Sequence, residues 1–103
     1  MMLFYGDKEK CVYVKSKIEK VRVVPNAGKC LEYLKKEDIT GILFMPDDLN
    51  LVDWIIDLDI RIRNIICYGD EGESTSAALR NAQYKASYVP YDLLKSRLKD
   101  FKL

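Results

Sequence analysis

The sequence predicts an α/β fold: a single three-layer, doubly wound domain whose five-stranded parallel sheet carries helices on both faces. Three observations lead there. Short apolar runs alternate with amphipathic stretches along the whole chain. Prolines and glycines fall at the boundaries between them, and the pieces joining successive strand candidates are too short for anything except right-handed β-α-β crossovers. The chain has 103 residues, 49% of them hydrophobic and 32% charged. That is enough apolar material for one core, it excludes a disordered tail, and it is too little chain for two ordinary domains.

The elements follow in order. Met1–Tyr5 is a continuous apolar run stopped by Gly6-Asp7, as in a strand buried on both faces. Lys8–Ile18 carries two signals. Cys11, Val14 and Ile18 match a helical stripe, whereas Cys11-Val12-Tyr13-Val14 is β-prone. Helix is the expectation, because another strand candidate, Val21–Val24, follows closely and stops at Pro25. Asn26 is a good helix cap for a stripe of Ala27, Cys30, Leu31 and Leu34, with Lys29, Glu32, Lys35 and Lys36 on the wet side. Gly41–Met45 reads as a buried strand stopped by Pro46. Asp47-Asp48 can cap and charge the next helix, which carries Leu51, Val52, Ile55, Ile56 and Leu58 on a broad apolar face. Asn64–Tyr68 is the fourth strand, ended by Gly69-Asp70. Ser74–Gln83 is a weaker helix with Ala78, Leu79 and Ala82 as a thin apolar edge. Ala86–Val89, stopped by Pro90, is the fifth strand, and Tyr91, Leu94, Leu98 and Phe101 form the stripe of a closing helix.

Composition removes whole classes of function. Seventeen Lys and Arg against sixteen Asp and Glu leave a formal charge of +1, so no global basic field argues for nucleic acid or a membrane surface. No apolar run approaches the ~20 residues that span a bilayer, and the first residues lack the basic flank of a signal peptide. Cys11, Cys30 and Cys67 are an odd set with no C-x-x-C pair, which fits a cytoplasmic protein with reduced thiols. Histidine is absent. That excludes Ser–His and Cys–His nucleophile pairs and the usual zinc or iron ligand sets.

Several local phrases point to one family. Lys29–Leu34 and Ile39 run into the strand at Gly41–Met45, and Met45-Pro46 closes that strand. Asn64-Ile65-Ile66-Cys67-Tyr68-Gly69-Asp70-Glu71 and Val89-Pro90-Tyr91-Asp92 follow at the expected places. In this order they resemble a response-regulator receiver domain, the flavodoxin-like fold of two-component signalling. The resemblance is good over roughly Val21 to Phe101 and looser before it. It implies strand order 2-1-3-4-5.

The departures from that family govern what it implies. Receivers place two acidic residues after the first strand, where Gly6 and Asp7 leave one. Their phosphoacceptor aspartate ends the third strand, but Thr40 through Pro46 contains no carboxylate. Cys67 or Tyr68 stands for the hydroxyl residue ending the fourth strand, and Val89 for the lysine before the last proline. An acyl-phosphate cycle needs a carboxylate nucleophile, a metal held by acidic neighbours, and a cation for the phosphoryl oxygens. At least two of these are missing. The resemblance therefore implies a degenerate pseudo-receiver: a non-catalytic, cytoplasmic signalling module that works through a protein partner or as a homodimer, with no catalytic residues.

Candidate sites remain. Open α/β sheets bind ligands beyond the carboxyl ends of their strands, where the strand order reverses. There Asp7, Asp47 and Asp48, with Gly6 and Pro46 and with Asp70 and Glu71 nearby, would form a rim able to hold Mg²⁺ or Ca²⁺. The competing reading has Asp47 and Asp48 capping a helix, and Asp7 and Asp70 making Asx-type turns. Gly28-Lys29 faintly resembles a phosphate loop, but its first glycine is replaced by Arg22 or Val23 and its hydroxyl by Cys30. Cys67 reads as a buried structural thiol. Tyr84, Tyr88 and Tyr91, with Arg80 and Lys85, surround the last strand. In receivers that region is the docking and dimerisation surface, and tyrosines suit interfaces, although they also pack beneath helices. Trp54 is expected in the core. If its helix is apolar around most of its circumference, Leu51, Trp54 and Leu58 make a second contact face.

Two further functional readings stay open. Gly6-Asp7 and Ile42–Met45 are similar to the small stalk subunit of archaeal-type rotary ATPases, although the fifth strand, Ala86–Val89, does not fit that subunit's tail. A Mg²⁺-dependent phosphoester enzyme using the carboxylate rim needs no histidine.

Overall fold

The computed structural model describes residues 2–36 and 41–98. Ten elements alternate along them: β1 (Met2–Tyr5), α1 (Lys8–Lys17), β2 (Val21–Val24), α2 (Ala27–Lys36), β3 (Ile42–Met45), α3 (Leu49–Asp57), β4 (Asn64–Tyr68), α4 (Gly72–Asn81), β5 (Ala86–Val89) and α5 (Tyr91–Arg97). The strands form one parallel sheet in the order β2-β1-β3-β4-β5. This is the three-layer flavodoxin-like arrangement expected from the sequence.

The central strands are apolar on both faces because both faces are covered. Alternation along each strand then sorts their side chains into two cores. Leu3, Leu43, Met45, Ile65 and Cys67 pack with Cys30 and Leu34 of α2, Leu51 and Ile55 of α3, and Leu79 of α4. Met2, Phe4, Phe44, Ile66 and Tyr68 pack instead with Cys11 and Val14 of α1, Leu94 of α5 and Leu98 just beyond it. Helices α2, α3 and α4 thus cover one face, and α1 and α5 the other.

The ambiguous segment after β1 is helical. Asp7 caps it, its Oδ1 accepting from the Lys10 amide at 2.8 Å, and only Cys11 and Val14 of its ten residues are buried. The β-prone run there is overruled by the cap and by the need to cross from β1 to β2. Helix α4 starts at Gly72 rather than Ser74 and ends at Asn81, just before Gln83 at φ 74°. A Cβ on Gly72 would lie 2.6 Å from Cδ2 of Tyr88 and 3.2 Å from the Cys67 carbonyl oxygen, so glycine lets the helix begin close to the sheet.

Two expectations for α3 need correction. Trp54 is 39% exposed rather than part of the core, and Leu51 is fully buried rather than part of a contact face. Leu51, Val52 and Ile55 turn toward the sheet. Trp54 precedes Ile55 by one residue, about 100° around the helix, and so rotates off the buried row. The expectations for Ile39, Thr40 and Phe101 lie outside the described residues.

Candidate functional site

The strand order reverses between β1 and β3, so the crevice of this fold lies beyond their carboxyl ends. Tyr68, the last residue of β4, reaches into it. Its side chain is 2% exposed and stacks on Phe4 with centroids 5.1 Å apart and planes 8° apart. Tyr91 covers it from α5 at 5.5 Å. The Tyr68 hydroxyl reaches across β3 and donates a hydrogen bond to the Tyr5 carbonyl. Gly6 makes that reach possible: a Cβ there would lie 2.6 Å from the Tyr68 hydroxyl oxygen and 2.7 Å from Cε1 of Phe4. Burial raises the Tyr68 pKa, and the nearby Cys11 and Asp7 add to it. The phenol therefore stays protonated and remains a donor.

The acidic rim is committed to the fold. Asp48 caps α3, its Oδ1 accepting from the Leu51 amide at 3.1 Å, while its Oδ2 accepts from the Tyr5 hydroxyl at 2.7 Å. Burial, then that bond to Asp48, raises the Tyr5 pKa. Asp47 Oδ2 accepts from the Glu71 amide at 2.7 Å. Its carboxylate lies within 2.6 Å of where a Gly69 Cβ would stand, and Gly69 has φ 142°. Both the contact and the backbone conformation call for glycine there. Asp7 accepts from the Lys10 amide and, at 2.6 Å, from Lys10 Nζ. Those hydrogen bonds hold its carboxyl below the ordinary carboxylate range.

The proposed Mg²⁺ set of Asp7, Asp47 and Asp48 is therefore not brought together. Among the described residues no group of three or more His, Cys, Asp or Glu is placed to hold a metal ion. Each of the three carboxylates accepts from a protein donor instead: Asp48 caps α3 as the capping alternative has it, whereas Asp47 does not cap and takes the Glu71 amide, 24 residues away. Asp70 and Glu71 are exposed at the edge of the same region.

The thiols are inert by position. All three are free and buried. Burial, with Asp47 nearby, pushes the Cys67 thiol up to about 12, and burial near Asp48 does the same to Cys30. Cys11 donates from Sγ to the carbonyls of Gly6 and Val24.

The tyrosine group around β5 is only partly available as a surface. Tyr84 donates its hydroxyl to the carbonyls of Ile55 (3.1 Å) and Ile60 (2.7 Å), tying the loop after α4 to the end of α3. Arg80 donates to Ser76 Oγ and the Ala86 carbonyl, joining α4 to β5. Tyr84 packs against the α2–α4 core and Tyr91 against the α1–α5 core, on opposite faces of the sheet. Tyr88, Lys85 and Arg80 are the exposed members. Trp54 of α3 and Leu58, the residue that caps its end (48% exposed), stand four residues apart.

Tyr5, Gly6 and Tyr68 are the residues whose joint role the sequence analysis missed. The available signal was a glycine ending one strand and a bulky aromatic ending another two places along the sheet. No helix among the described residues is long and apolar enough to cross a membrane. No protein-family model, curated protein or solved structure matches this chain.

Proposed function

We propose that this chain is a non-catalytic interaction module, a receiver-like domain whose phosphorylation edge has become packing. The observation that carries this reading is the Tyr68 hydroxyl lying over Gly6 and bonded to the Tyr5 carbonyl. Where a receiver holds its metal and phosphoryl group, this chain holds its own phenol. The end of β3 offers fully buried Met45 and then Pro46, neither of which can accept a phosphoryl group. With no thiol poised for attack and no imidazole, function falls to surfaces. Trp54 on α3 and Leu58 at its end are the first surface to test, because neighbouring exposed apolar side chains favour protein contact.

The test combines light scattering with the emission of the single tryptophan, Trp54. A second copy docking on α3 gives a mass that rises with concentration and a blue-shifted emission, and Leu58→Glu removes both. Magnesium-dependent turnover of simple phosphoesters by the wild-type chain would overturn the non-catalytic reading.

A further inference from the structure

The amino end of the sheet holds a cleft that the interaction-module reading does not use. The loop from α3 to β4 and the loop from α4 to β5 border an open cleft of about 670 Å³, within the range of small-molecule sites. Arg61, Ile62 and Arg63 line it from the first loop, and Gln83, Tyr84 and Lys85 from the second.

Its walls are anchored. The Tyr84 hydroxyl bridges to the carbonyls of Ile55 and Ile60. The Tyr84 amide donates to the Leu79 carbonyl at 3.0 Å, and the Lys85 carbonyl accepts from the Ile65 amide at 2.9 Å. Both loops are thereby fixed to the elements they join, so the cleft is held open before any ligand arrives.

Its charge is lopsided. Three cations, Arg61, Arg63 and Lys85, face one lining carboxylate, Asp59. Arg61 meets Asp59 at a loose 3.5 Å with both side chains well exposed. Arg63 and Lys85 form no ion pair among the described residues. In a chain of net charge +1 this is a local concentration of positive charge. The same lining includes Ile62, which is buried, and the half-buried Tyr84. Cations beside an apolar and an aromatic side chain suit a ligand with a compact anionic group and a flat ring.

We propose that this cleft binds a nucleoside phosphate, its phosphate held by Arg63 and Lys85 and its base laid against Tyr84 and Ile62. Arg63 supplies a forked donor matched to phosphate oxygens, and Lys85 a point charge. Arg61, only loosely engaged by Asp59, is placed to turn toward the same anion.

The experiment is a titration of isotopically labelled protein, followed by amide resonances, with AMP, adenosine and inorganic phosphate in separate arms. AMP shifts residues 61–63 and 83–85 and leaves Gly6, Asp47 and Gly69 in place. Adenosine and phosphate alone each bind more weakly than AMP, and added salt weakens AMP binding. Arg63→Ala and Lys85→Ala each lower AMP affinity by about tenfold, roughly one charge-assisted hydrogen bond. Their melting temperatures match wild type, because both side chains are exposed. Absence of shifts at millimolar AMP, or shifts centred elsewhere, overturns the proposal. So does phosphate binding as tightly as AMP, which would remove the base from the site.

Discussion

At the carboxyl end of the sheet, side chains of strand ends and loops find partners across the fold: the Tyr68 hydroxyl donates to the Tyr5 carbonyl, the Tyr5 hydroxyl to Asp48, and Asp47 accepts from the Glu71 amide. At the amino end, Tyr84 and backbone hydrogen bonds fix the loops, while Arg61, Arg63 and Lys85 remain exposed around a cleft. Both ends carry charged loops, yet one is closed by its own groups and the other stays open. The difference rests on what accompanies the charges. Asp47 and Asp48 find an amide, a helix start and a phenol within reach, whereas Arg63 and Lys85 find no carboxylate among the described residues. Position on an α/β fold thus suggests where to look for a site, and local hydrogen bonding decides whether a site is there.

The largest expected effect comes from emptying the closed end. Tyr68→Ala removes a ring packed between Phe4 and Tyr91 and should cost about 3–5 kcal/mol in chemical denaturation. Gly6→Ala drives a methyl toward the Tyr68 hydroxyl and the Phe4 ring and should cost about 1–3 kcal/mol. Tyr68→Phe loses one hydrogen bond, at about 1 kcal/mol. Because Tyr68→Phe also makes room for the Gly6→Ala methyl, the double variant should be less destabilised than the sum of the two. Strict additivity would mean that the two residues do not share the space described.

Asp48→Ala should follow, at about 1–2 kcal/mol, since it removes the α3 cap and strands the Tyr5 hydroxyl. Asp48→Asn keeps the cap oxygen and should recover most of that loss, measured by the same denaturation.

The smallest effect is a pH dependence. The folded-state pKa of Asp7 lies below its ordinary value because Lys10 donates to it. Its stabilisation is therefore fully present above the ordinary carboxylate pKa and is lost as pH falls through the folded value. The pair is exposed, so the effect is modest. Thermal unfolding of Asp7→Asn should show a flatter acid limb than wild type, with the two curves parallel at neutral pH.

The fold was legible because its punctuation is physical. Pro25, Pro46 and Pro90 stop β2, β3 and β5, and Gly6 and Gly69 follow β1 and β4, so alternation and spacing fix the topology. Helix α1 was the hard element, since its buried stripe is as thin as Cys11 and Val14. The carboxyl-edge site was not legible in the same way. Counting carboxylates near strand ends identifies Asp7, Asp47 and Asp48, but their use depends on an amide of Glu71, a hydroxyl of Tyr5 and an ammonium of Lys10. Lys10 lies only three residues from Asp7, but Tyr5 meets Asp48 across 43 residues and Glu71 meets Asp47 across 24, so those two pairs become neighbours only once the sheet is assembled. Trp54 departs from expectation for a related reason: an apolar residue on an apolar helix reads as core until the rotation of that helix is known.

The claim on which the account depends is that the carboxyl edge is closed to metal and phosphate by Tyr68. It is tested most directly by exposing the wild-type chain to Mg²⁺ and a small acyl-phosphate donor, reading intact mass and the amide resonances of Gly6, Asp7, Asp47 and Gly69 together. The account predicts an unchanged mass and unmoved resonances. A gained phosphoryl group, or a saturable Mg²⁺-dependent shift at those four amides, would contradict it.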